Sequence, residues 1–464
     1  MKPGWVLGII LAGLVALRFA LFNEYLTFGT DMGSYLMTRT WLIGQDVVGS
    51  NTPHFRPPLI GLLLLPFTTL WGDLNGGKVL SLLLSVLPAI PFYFLVKLYV
   101  RPWIAVLAAL VLVINPQNAL NASLNQITLP AMSLAIWGMY VIAKLQRGED
   151  KPWHLIPPVF LLVGLNQTMS GLFAIMAATF FLCCPSRRLF KGLATAFGLS
   201  LVWLPFYFST MPLANGLYLP GMAFGIIPRW TTLAFFLPVL ILSLFFPKKL
   251  FPWVIVALVL AFLAQLIVPE ETFINIFTRG MRFVSTFTIL ACAMGLDWLV
   301  EKYRISYKYI VAVALVLLSS ANLLWFDTFR HWADHYWVIS PDTLAAVEWL
   351  DNSPADAKVL TYPEALGWYV GGMVPRRWAG VDGEGTPLKA YAKTQEAFDA
   401  SMGWDGAPTP ALLKEENITY LVIDRSHWQT FDNDGTGWTN LDIMPWFKKE
   451  AQFGSVGIYR VEAE

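Results

Sequence analysis

The chain has 464 residues, of which 56% are hydrophobic and 14% are charged, and its mean hydropathy is +0.55. A soluble globular protein carries about 25% charged residues, so this composition excludes a wholly soluble chain. The net charge of +1 is the sum of two parts of the chain whose net charges have opposite signs. Residues 1–329 hold 21 basic and 11 acidic residues, whereas residues 330–464 hold 11 basic and 20 acidic. We therefore predict a membrane domain over residues 1–329 and a soluble domain over residues 330–464.

The membrane part contains eleven apolar runs, and a membrane-spanning helix needs about 20 mostly apolar residues. The run at 155–184 is too long for one helix of that kind, and we expect two short legs that turn near Asn166, Gln167 and Thr168. The pattern predicts an α-helical polytopic membrane protein with 11 to 13 spans. The runs lie at about 5–22, 58–72, 78–97, 102–115, 129–145, 155–184, 192–209, 230–246, 251–268, 283–300 and 308–326.

Basic residues orient these runs, because short cytoplasmic loops carry an excess of lysine and arginine. If all five basic clusters are cytoplasmic, loops 23–57, 116–128, 210–229 and 269–281 face outward, together with the C-terminal domain. In a plasma (inner) membrane this domain is extracytoplasmic. The run Pro57–Gly72 does not fit the alternation, so it is either a re-entrant or interfacial piece or a sign that one pairing is wrong. The clusters are Lys97/Arg101, Lys144/Arg147/Lys151, Arg187/Arg188/Lys191, Lys248/Lys249 and Lys302/Arg304/Lys308.

The last part of the chain alternates helical and strand patterns, which is typical of a small α/β domain. Ser340-Pro341-Asp342 is a helix-start signal. The stretch Ile418–Asp424 is rich in β-branched residues and predicts a buried strand. The other predicted elements are a helix at Thr343–Leu350, a strand at Lys358–Tyr362, helices at Pro363–Val370 and Pro410–Glu416, and a strand at Val456–Val461.

Asp31 is the first acidic candidate for chemistry, in the outer loop about nine residues after the first span. A carboxylate that is partly desolvated at the membrane surface can serve as a general base. It can equally cap the helix that we expect to begin near Met32. The residues alone leave both interpretations open. Tyr35 and His54, from the same loop, are further candidates for this site.

Three arginines on the predicted outer side are candidates for binding a lipid phosphate, since a guanidinium can grip phosphate with two hydrogen bonds. Arg56 precedes Pro57-Pro58, and Arg279 and Arg282 flank Gly280 before a late apolar run. Each can also be an interfacial anchor for the neighbouring segment. Glu270 and Glu271 are further acidic candidates in the loop 269–281. The sequence has no Gly-rich nucleotide-binding turn, no zinc-type histidine pair and no Gly-x-Ser-x-Gly motif.

Several of these segments, taken together, resemble the sequence pattern of one known family. They are Thr30-Asp31-Met-Gly-Ser-Tyr-Leu36 after the first span, Phe55-Arg-Pro-Pro-Leu59 before the next run, Gly164–Thr168, Thr278–Phe283 and the C-terminal α/β elements. The chain resembles the GT-C glycosyltransferases, and within them the branch of protein O-mannosyltransferases and lipid A aminoarabinose transferases. The resemblance covers nearly the whole chain in layout and about twenty residues in specific motifs.

The resemblance implies an inverting glycosyltransferase that moves a sugar from a polyprenyl-phosphate donor to a hydroxyl of a protein, lipid or glycan on the outer face. It implies that Asp31 is the base and that Arg56, Arg279 or Arg282 stabilises the departing phosphate. The expected partners are the donor, membrane lipids and the acceptor, and no nucleic acid.

Two departures from the family pattern keep other functions open. Many relatives carry an acid soon after the position of Asp31 and another in the loop at 116–128. Here Met32 or Gly33 stands at the first place, and Gln117–Thr128 has no acid. A divalent metal stays possible but is not supported by the acid count, and no cofactor is certain. The alternatives are a glycan polymerase or ligase, and an inactive GT-C-like scaffold subunit whose Trp-rich outer domain docks membrane-complex partners.

Overall fold

The computed structural model is mostly helical, and its residue contacts divide the chain into two compact units. Unit 1 comprises residues 1–20, 81–122 and 126–328, and unit 2 comprises residues 21–80, 123–125 and 329–464. The structure describes residues 2–21, 27–28, 36, 39, 42–43, 58–114, 128–203, 247–263, 270–304, 306, 338–354, 356–362, 366, 370, 373–374, 409–424 and 444–462.

Most described helices follow the predicted apolar runs in chain order. Within the described residues, four helical stretches are long and apolar enough to cross a membrane, namely Pro3–Ala20, Asp73–Lys97, Thr128–Gln146 and Phe283–Tyr303. The helices are α1 Pro3–Leu21, α2 Pro58–Trp71, α3 Asp73–Val86, α4 Ala89–Lys97, α5 Pro102–Ile114, α6 Thr128–Gln146, α7 Ile156–Leu165, α8 Gln167–Cys183, α9 Arg187–Ser200, α10 Pro247–Leu263 and α11 Glu270–Tyr303.

The predicted polytopic helical architecture with a small C-terminal α/β domain is confirmed. The number of spans stays a prediction, because the runs at 230–246 and 308–326 lie outside the described residues.

The predicted division of the run at 155–184 is confirmed at Asn166. This residue has extended backbone angles, φ −154° and ψ 113°, and it separates α7 from α8. Its side-chain oxygen accepts a hydrogen bond from the Met169 backbone N–H at 3.0 Å, which satisfies one free donor at the start of α8. The Ser170 hydroxyl donates to the Leu162 carbonyl at 3.1 Å and ties the two helices together. Buried polar groups are thus bonded at the break, as a low-dielectric interior requires.

An aromatic cluster in unit 1 surrounds Trp253. The Trp253 side chain is fully buried, and its ring centroid lies 5.2 Å from that of Phe180 and 5.3 Å from that of Phe287. These three rings come from α10, α8 and α11. The indole N–H donates to the Tyr99 hydroxyl at 3.1 Å, so the one polar atom of the ring has a partner.

In the described part of unit 1, residues of several predicted basic clusters lie near one another. Arg101 forms ion pairs with Asp297 at 3.2 Å and Glu301 at 3.0 Å, which connects the start of α5 to the end of α11. The Arg147 guanidinium lies 4.8 Å from the Tyr99 ring centroid, and Arg188 donates to the Gly148 carbonyl at 3.3 Å. Lys248 and Lys249 lie in the first turn of α10, just before Trp253. Contacts among the described residues therefore bring several of the basic clusters together in unit 1.

Asp150 organises the loop after α6. Burial alone would raise the pKa of Asp150, but the Lys151 backbone N–H, His154 and Lys144 together hold this pKa below its usual value. The Lys144 ammonium lies 3.5 Å from the carboxylate, and His154 bonds to the other carboxylate oxygen. Because the folded-state pKa is lowered, this stabilisation is present above the unfolded pKa and is lost as the pH falls through the folded pKa.

In unit 2, the run that failed to alternate forms the 14-residue helix α2. At about 1.5 Å per residue such a helix is about 21 Å long, which is short for a hydrocarbon core of about 30 Å. Gly72, with φ +78°, ends it, and α3 begins at the next residue. The positive φ favours glycine here, because side chains with a Cβ are strained in that conformation. A short interfacial or re-entrant helix, as the sequence suggested, fits this length.

Gly76 sets how closely α2 and α3 approach each other. A Cβ atom added at Gly76 would lie 2.4 Å from the Phe67 carbonyl oxygen, well inside van der Waals contact. We expect Gly76→Val to lower the free energy of unfolding by about 1–3 kcal/mol or more, because the backbone must move to admit the side chain. Thermal unfolding of the detergent-purified protein measures this effect.

Gly13→Ala is the matched control for Gly76→Val. Gly13 also lies within a helix, but a Cβ atom there meets no heavy atom within 4 Å. Alanine in a helix is favoured over glycine by about 0.5–1 kcal/mol, so this variant should unfold at an equal or slightly higher temperature. Equal losses of stability in both variants would contradict the proposed close packing at Gly76.

The C-terminal domain contains a four-stranded sheet with helices α12 (Pro341–Asp351) and α13 (Ala411–Glu415). The Ser340 side chain accepts from the Thr343 backbone N–H at 3.1 Å, and this confirms the predicted helix start. The strand order is β3-β4-β6-β5, with β3 parallel to β4 and the other pairs antiparallel. The strands are β3 Val359–Tyr362, β4 Tyr420–Asp424, β5 Phe447–Phe453 and β6 Val456–Val461. The predicted helix Pro363–Val370 lies mostly outside the described residues.

A two-stranded ladder in unit 2 joins the first outer loop to the start of the C-terminal domain. Thr27–Phe28 (β1) pairs antiparallel with Val338–Ile339 (β2), with Thr27 opposite Ile339. Residues that share backbone hydrogen bonds lie on the same side of any membrane. Thr27–Phe28 and Val338–Ile339 therefore lie on the same side of a membrane.

The late helix α11 corrects one sequence expectation. The apolar pattern predicts a loop at 269–281 and a span at 283–300, but the helix runs from Glu270 to Tyr303, over 34 residues. Its first part carries charged and polar residues, so this part does not form an apolar run and the pattern does not predict it as part of a span. At about 1.5 Å per residue the helix is about 51 Å long, so it extends beyond a hydrocarbon core of about 30 Å.

Candidate functional site

The predicted site residues fall into two groups in the structure. Four come from the first outer loop and lie outside the described residues, namely Asp31, Tyr35, His54 and Arg56. The other four lie along helix α11, with their side chains outside the described part, namely Glu270, Glu271, Arg279 and Arg282. The proposed roles of all eight residues therefore stay predictions.

The chain around Asp31 is fixed at described positions on both sides. Upstream, Thr27 and Phe28 form the ladder with β2. Downstream, Leu36, Arg39 and Leu42 are helical, and the Ile43 N–H donates to the Arg39 carbonyl at 3.1 Å. The Leu36 side chain is fully buried. In the sequence, Asp31 lies between these two described segments.

Arg39 provides the downstream anchor through an ion pair with Asp73. Both terminal nitrogens of the guanidinium bond to the carboxylate, with Nη2 3.3 Å from Oδ2 and Nη1 bonded to Oδ1. The two side chains are 12% and 28% exposed. Asp73 is the first residue of α3, where a negative charge is favoured by the helix dipole. The pair therefore fastens the helical turn after Asp31 to the N-terminus of α3.

Lys78 is a buried cation that sequence reasoning missed. It lies on α3, five residues after Asp73, and only 7% of its surface is exposed. A lysine is seldom this buried unless it is paired, and within membrane helices buried charges mark functional sites. The sequence signal was a lysine at the first position of the predicted run at 78–97.

Arg18 is a second buried cation, and its contacts give it a structural role. Its guanidinium donates to the Ser85 hydroxyl at 2.7 Å and to the Val113 carbonyl at 3.0 Å. The Val113 carbonyl belongs to the last turn of α5, where backbone oxygens lack helical partners. Arg101 precedes the opposite end of α5, so Arg18 lies away from the basic clusters. It fastens the end of α1, from which the first outer loop leaves.

The described residues contain no group of three or more histidine, cysteine or carboxylate side chains that could hold a metal ion. The described residues therefore offer the Arg39–Asp73 ion pair and two buried cations, Lys78 and Arg18.

Comparisons with known proteins give matches among solved structures. No family model matches this sequence, and no curated protein sequence matches it. ArnT from Cupriavidus metallidurans bound to undecaprenyl phosphate is similar over 99% of this chain and 98% of its own, at 12% identity and a TM-score of 0.57.

Two other solved structures are similar over nearly all of this chain. The archaeal oligosaccharyltransferase AglB from Archaeoglobus fulgidus, in complex with an inhibitory peptide and a dolichol-phosphate, matches 99% of this chain and 74% of its own, at 12% identity and a TM-score of 0.53. The mycobacterial arabinofuranosyltransferase AftD matches 98% of this chain and 41% of its own, at 15% identity and a TM-score of 0.53. All three are GT-C glycosyltransferases.

Proposed function

Because this chain has the GT-C fold, we propose that it is an inverting glycosyltransferase that uses a polyprenyl-phosphate-linked sugar. The observation that carries the proposal is the match to ArnT, which covers 99% of this chain and 98% of that one. ArnT is bound to undecaprenyl phosphate and AglB to a dolichol-phosphate in those structures. A lipid-linked donor of this class also agrees with the absence of a nucleotide-binding motif.

In the proposed reaction, Asp31 takes the proton of an acceptor hydroxyl, which belongs to a protein, lipid or glycan. The hydroxyl oxygen then attacks the anomeric carbon of the sugar from the face opposite the phosphate. The bond between that carbon and the phosphate oxygen breaks, and its electron pair leaves with the polyprenyl phosphate. One displacement of this kind inverts the anomeric configuration.

Cations stabilise the departing phosphate in this proposal, because negative charge develops there in the transition state. Arg56, Arg279 and Arg282 are the candidates from the sequence. The burial of Lys78 adds a fourth cation on the helix that follows α2. A donor that already carries a phosphate leaving group needs no nucleotide to activate it.

The reaction takes place on the outer face of the plasma membrane in this proposal. The ladder between β1 and β2 supports a common compartment for the first loop and the C-terminal domain. The convergence of basic clusters around Arg101 and Arg147 supports a cytoplasmic assignment for the other face.

The test is sugar transfer by the purified protein, reconstituted in vesicles with a panel of radiolabelled polyprenyl-phosphate sugars and membrane-extracted acceptors. We expect transfer from at least one donor, with inversion at the anomeric carbon. An inactive protein that still binds polyprenyl phosphate would contradict the enzymatic proposal and favour the scaffold alternative. Transfer with retained configuration would contradict the single displacement.

A further inference from the structure

The loop after α6 packs directly against the start of α9 in unit 1. Pro152–Leu155 forms a short 3₁₀ helix in this loop. A Cβ atom added at Gly192 of α9 would lie 3.1 Å from the Pro152 carbonyl oxygen, so the two backbones approach each other closely. The Arg188 guanidinium also donates to the Gly148 carbonyl at 3.3 Å. These contacts hold the loop and the start of the helix side by side.

Four exposed cations lie on these two segments and form what we call the basic patch. Lys151 directly precedes Pro152, and Lys191 directly precedes Gly192, so both lysines lie beside the close backbone contact. Within the described part of the chain, none of the four forms an ion pair with a carboxylate. The members of the basic patch are Lys151, Arg187, Arg188 and Lys191.

The acids of the loop leave most of this positive charge uncompensated. Asp150 is already shared between the Lys144 ammonium, at 3.5 Å, and His154. Glu149 is exposed and supplies one negative charge. Four positive charges and one negative charge leave the basic patch with a net charge of +3. An anion would therefore be attracted to this surface.

Large apolar side chains are exposed among the same cations. Trp153 is 55% exposed, and the Lys151 ammonium lies 5.0 Å from its ring centroid. Phe190, which lies between Arg188 and Lys191 in the sequence, is 60% exposed. Exposed aromatic rings beside lysine and arginine are typical of the interface between a bilayer and water, where the rings contact lipid and the charges reach the headgroups. The surface therefore suits a ligand that is both anionic and apolar.

We propose that the basic patch binds the headgroup of an anionic phospholipid. The phosphate oxygens accept hydrogen bonds from the lysines and arginines, and the upper part of the acyl chains contacts Trp153 and Phe190. Basic surfaces between membrane helices recognise acidic lipids through this combination of charge and apolar contact. The lipid is a bound ligand and takes no part in sugar transfer, so the inference stands independently of the proposed function.

Native mass spectrometry of the detergent-purified chain tests this site with added lipid. The probe is phosphatidylglycerol, and phosphatidylcholine with the same acyl chains is the comparison without net charge. We expect phosphatidylglycerol to bind the wild type at least about tenfold more tightly. The double variant Lys151→Gln/Lys191→Gln should bind phosphatidylglycerol about 10- to 30-fold more weakly, because two charges near the headgroup are lost. Its affinity for phosphatidylcholine should not change.

The matched control is Lys448→Gln/Lys449→Gln, which removes two exposed lysines from β5 in the C-terminal domain. It lowers the net charge of the chain by the same amount and should keep the wild-type affinity for both lipids. Trp153→Gln keeps the charges of the basic patch, and it should weaken both lipids about threefold through the loss of apolar contact. Equal losses in the two lysine variants would show an effect of net charge and overturn the site.

Hydrogen exchange of backbone amides locates the bound lipid. Phosphatidylglycerol should slow exchange about fivefold in residues 148–155 and 186–191 of the wild type, and leave exchange in β3, β4 and β6 unchanged. Protection confined to other segments overturns the inference, and so does equal affinity of the wild type for the two lipids. Displacement of the lipid by millimolar glycerol 3-phosphate would make this a site for a soluble phosphate compound instead.

Thermal unfolding in lipid-free detergent controls for damage to the fold. All variants should unfold at the wild-type temperature, because the substituted side chains are exposed. If the lysine variant unfolds at a lower temperature, the lipid preference and the exchange pattern of the wild type decide the proposal without it.

Discussion

Asp31→Asn is expected to lower sugar transfer about 10²- to 10⁴-fold, the range typical of losing a general base. Asparagine matches aspartate in shape and can still cap a helix, so the change removes proton acceptance and leaves the local structure intact. Binding of the polyprenyl-phosphate donor should persist, because Asp31 contacts the acceptor in the proposed mechanism. Steady-state transfer rates and carrier binding by the same protein preparation measure the two effects.

Asp46→Asn is the control for this substitution, because Asp46 lies in the same outer loop and loses the same charge. It should transfer sugar at the wild-type rate. If Asp31→Asn turns over as fast as the wild type, Asp31 is only a helix cap and the base is another residue. If both variants lose activity equally, the effect comes from the net charge of the loop.

The helical part of the fold was largely predictable, because a long run of apolar residues predicts a membrane helix. The break at Asn166 was also predictable, since a polar Asn-Gln-Thr sequence inside an apolar run can satisfy the backbone groups that a break exposes. The start of α12 followed from local chemistry, as Ser340 caps the helix through its own hydroxyl. In both cases the determining interactions connect residues near each other in sequence.

The elements that the sequence did not predict either pair with residues far away in the sequence or have a local pattern untypical of the structure they form. Strand β5, Phe447–Phe453, alternates poorly because Lys448, Lys449 and Glu450 are exposed on an edge strand. The ladder between β1 and β2 joins segments that are more than 300 residues apart, and each strand has two residues. The first part of α11 is polar, so only its continuity with the apolar part makes it helical.

The roles of the candidate site residues stay predictions, and the contacts of Lys78 and Arg39 could not be predicted from the sequence. Lys78 looked like the border of an apolar run, and its burial depends on how helices pack around it. The partner of Arg39 could not be chosen from the sequence, because several acids lie at similar separations and only the fold brings Asp73 to it. Pairing between distant residues is a property of topology, which one sequence does not encode in any local pattern.

Arg282→Met is expected to lower kcat about 10²- to 10³-fold, the loss typical of removing one group that stabilises developing negative charge. We expect a loss of similar size for Arg279→Met, because the two positions lie three residues apart on α11. Arg282→Lys should retain more activity than Arg282→Met, since an ammonium still offsets the phosphate charge. The assay is the same reconstituted transfer reaction, with binding of the polyprenyl-phosphate carrier measured alongside it.

Lys302→Met is the matched control, since Lys302 lies on the same helix, 20 residues after Arg282. At about 1.5 Å per residue, the two positions are about 30 Å apart, roughly the thickness of the hydrocarbon core. Lys302 stacks over the Trp298 ring at 4.7 Å, toward the end of α11 that also carries the acids paired with Arg101. One phosphate cannot contact both ends of the helix, so only one of the two substitutions can reduce carrier binding. A loss confined to Lys302→Met would put the donor on the basic face and reverse the proposed orientation of the reaction.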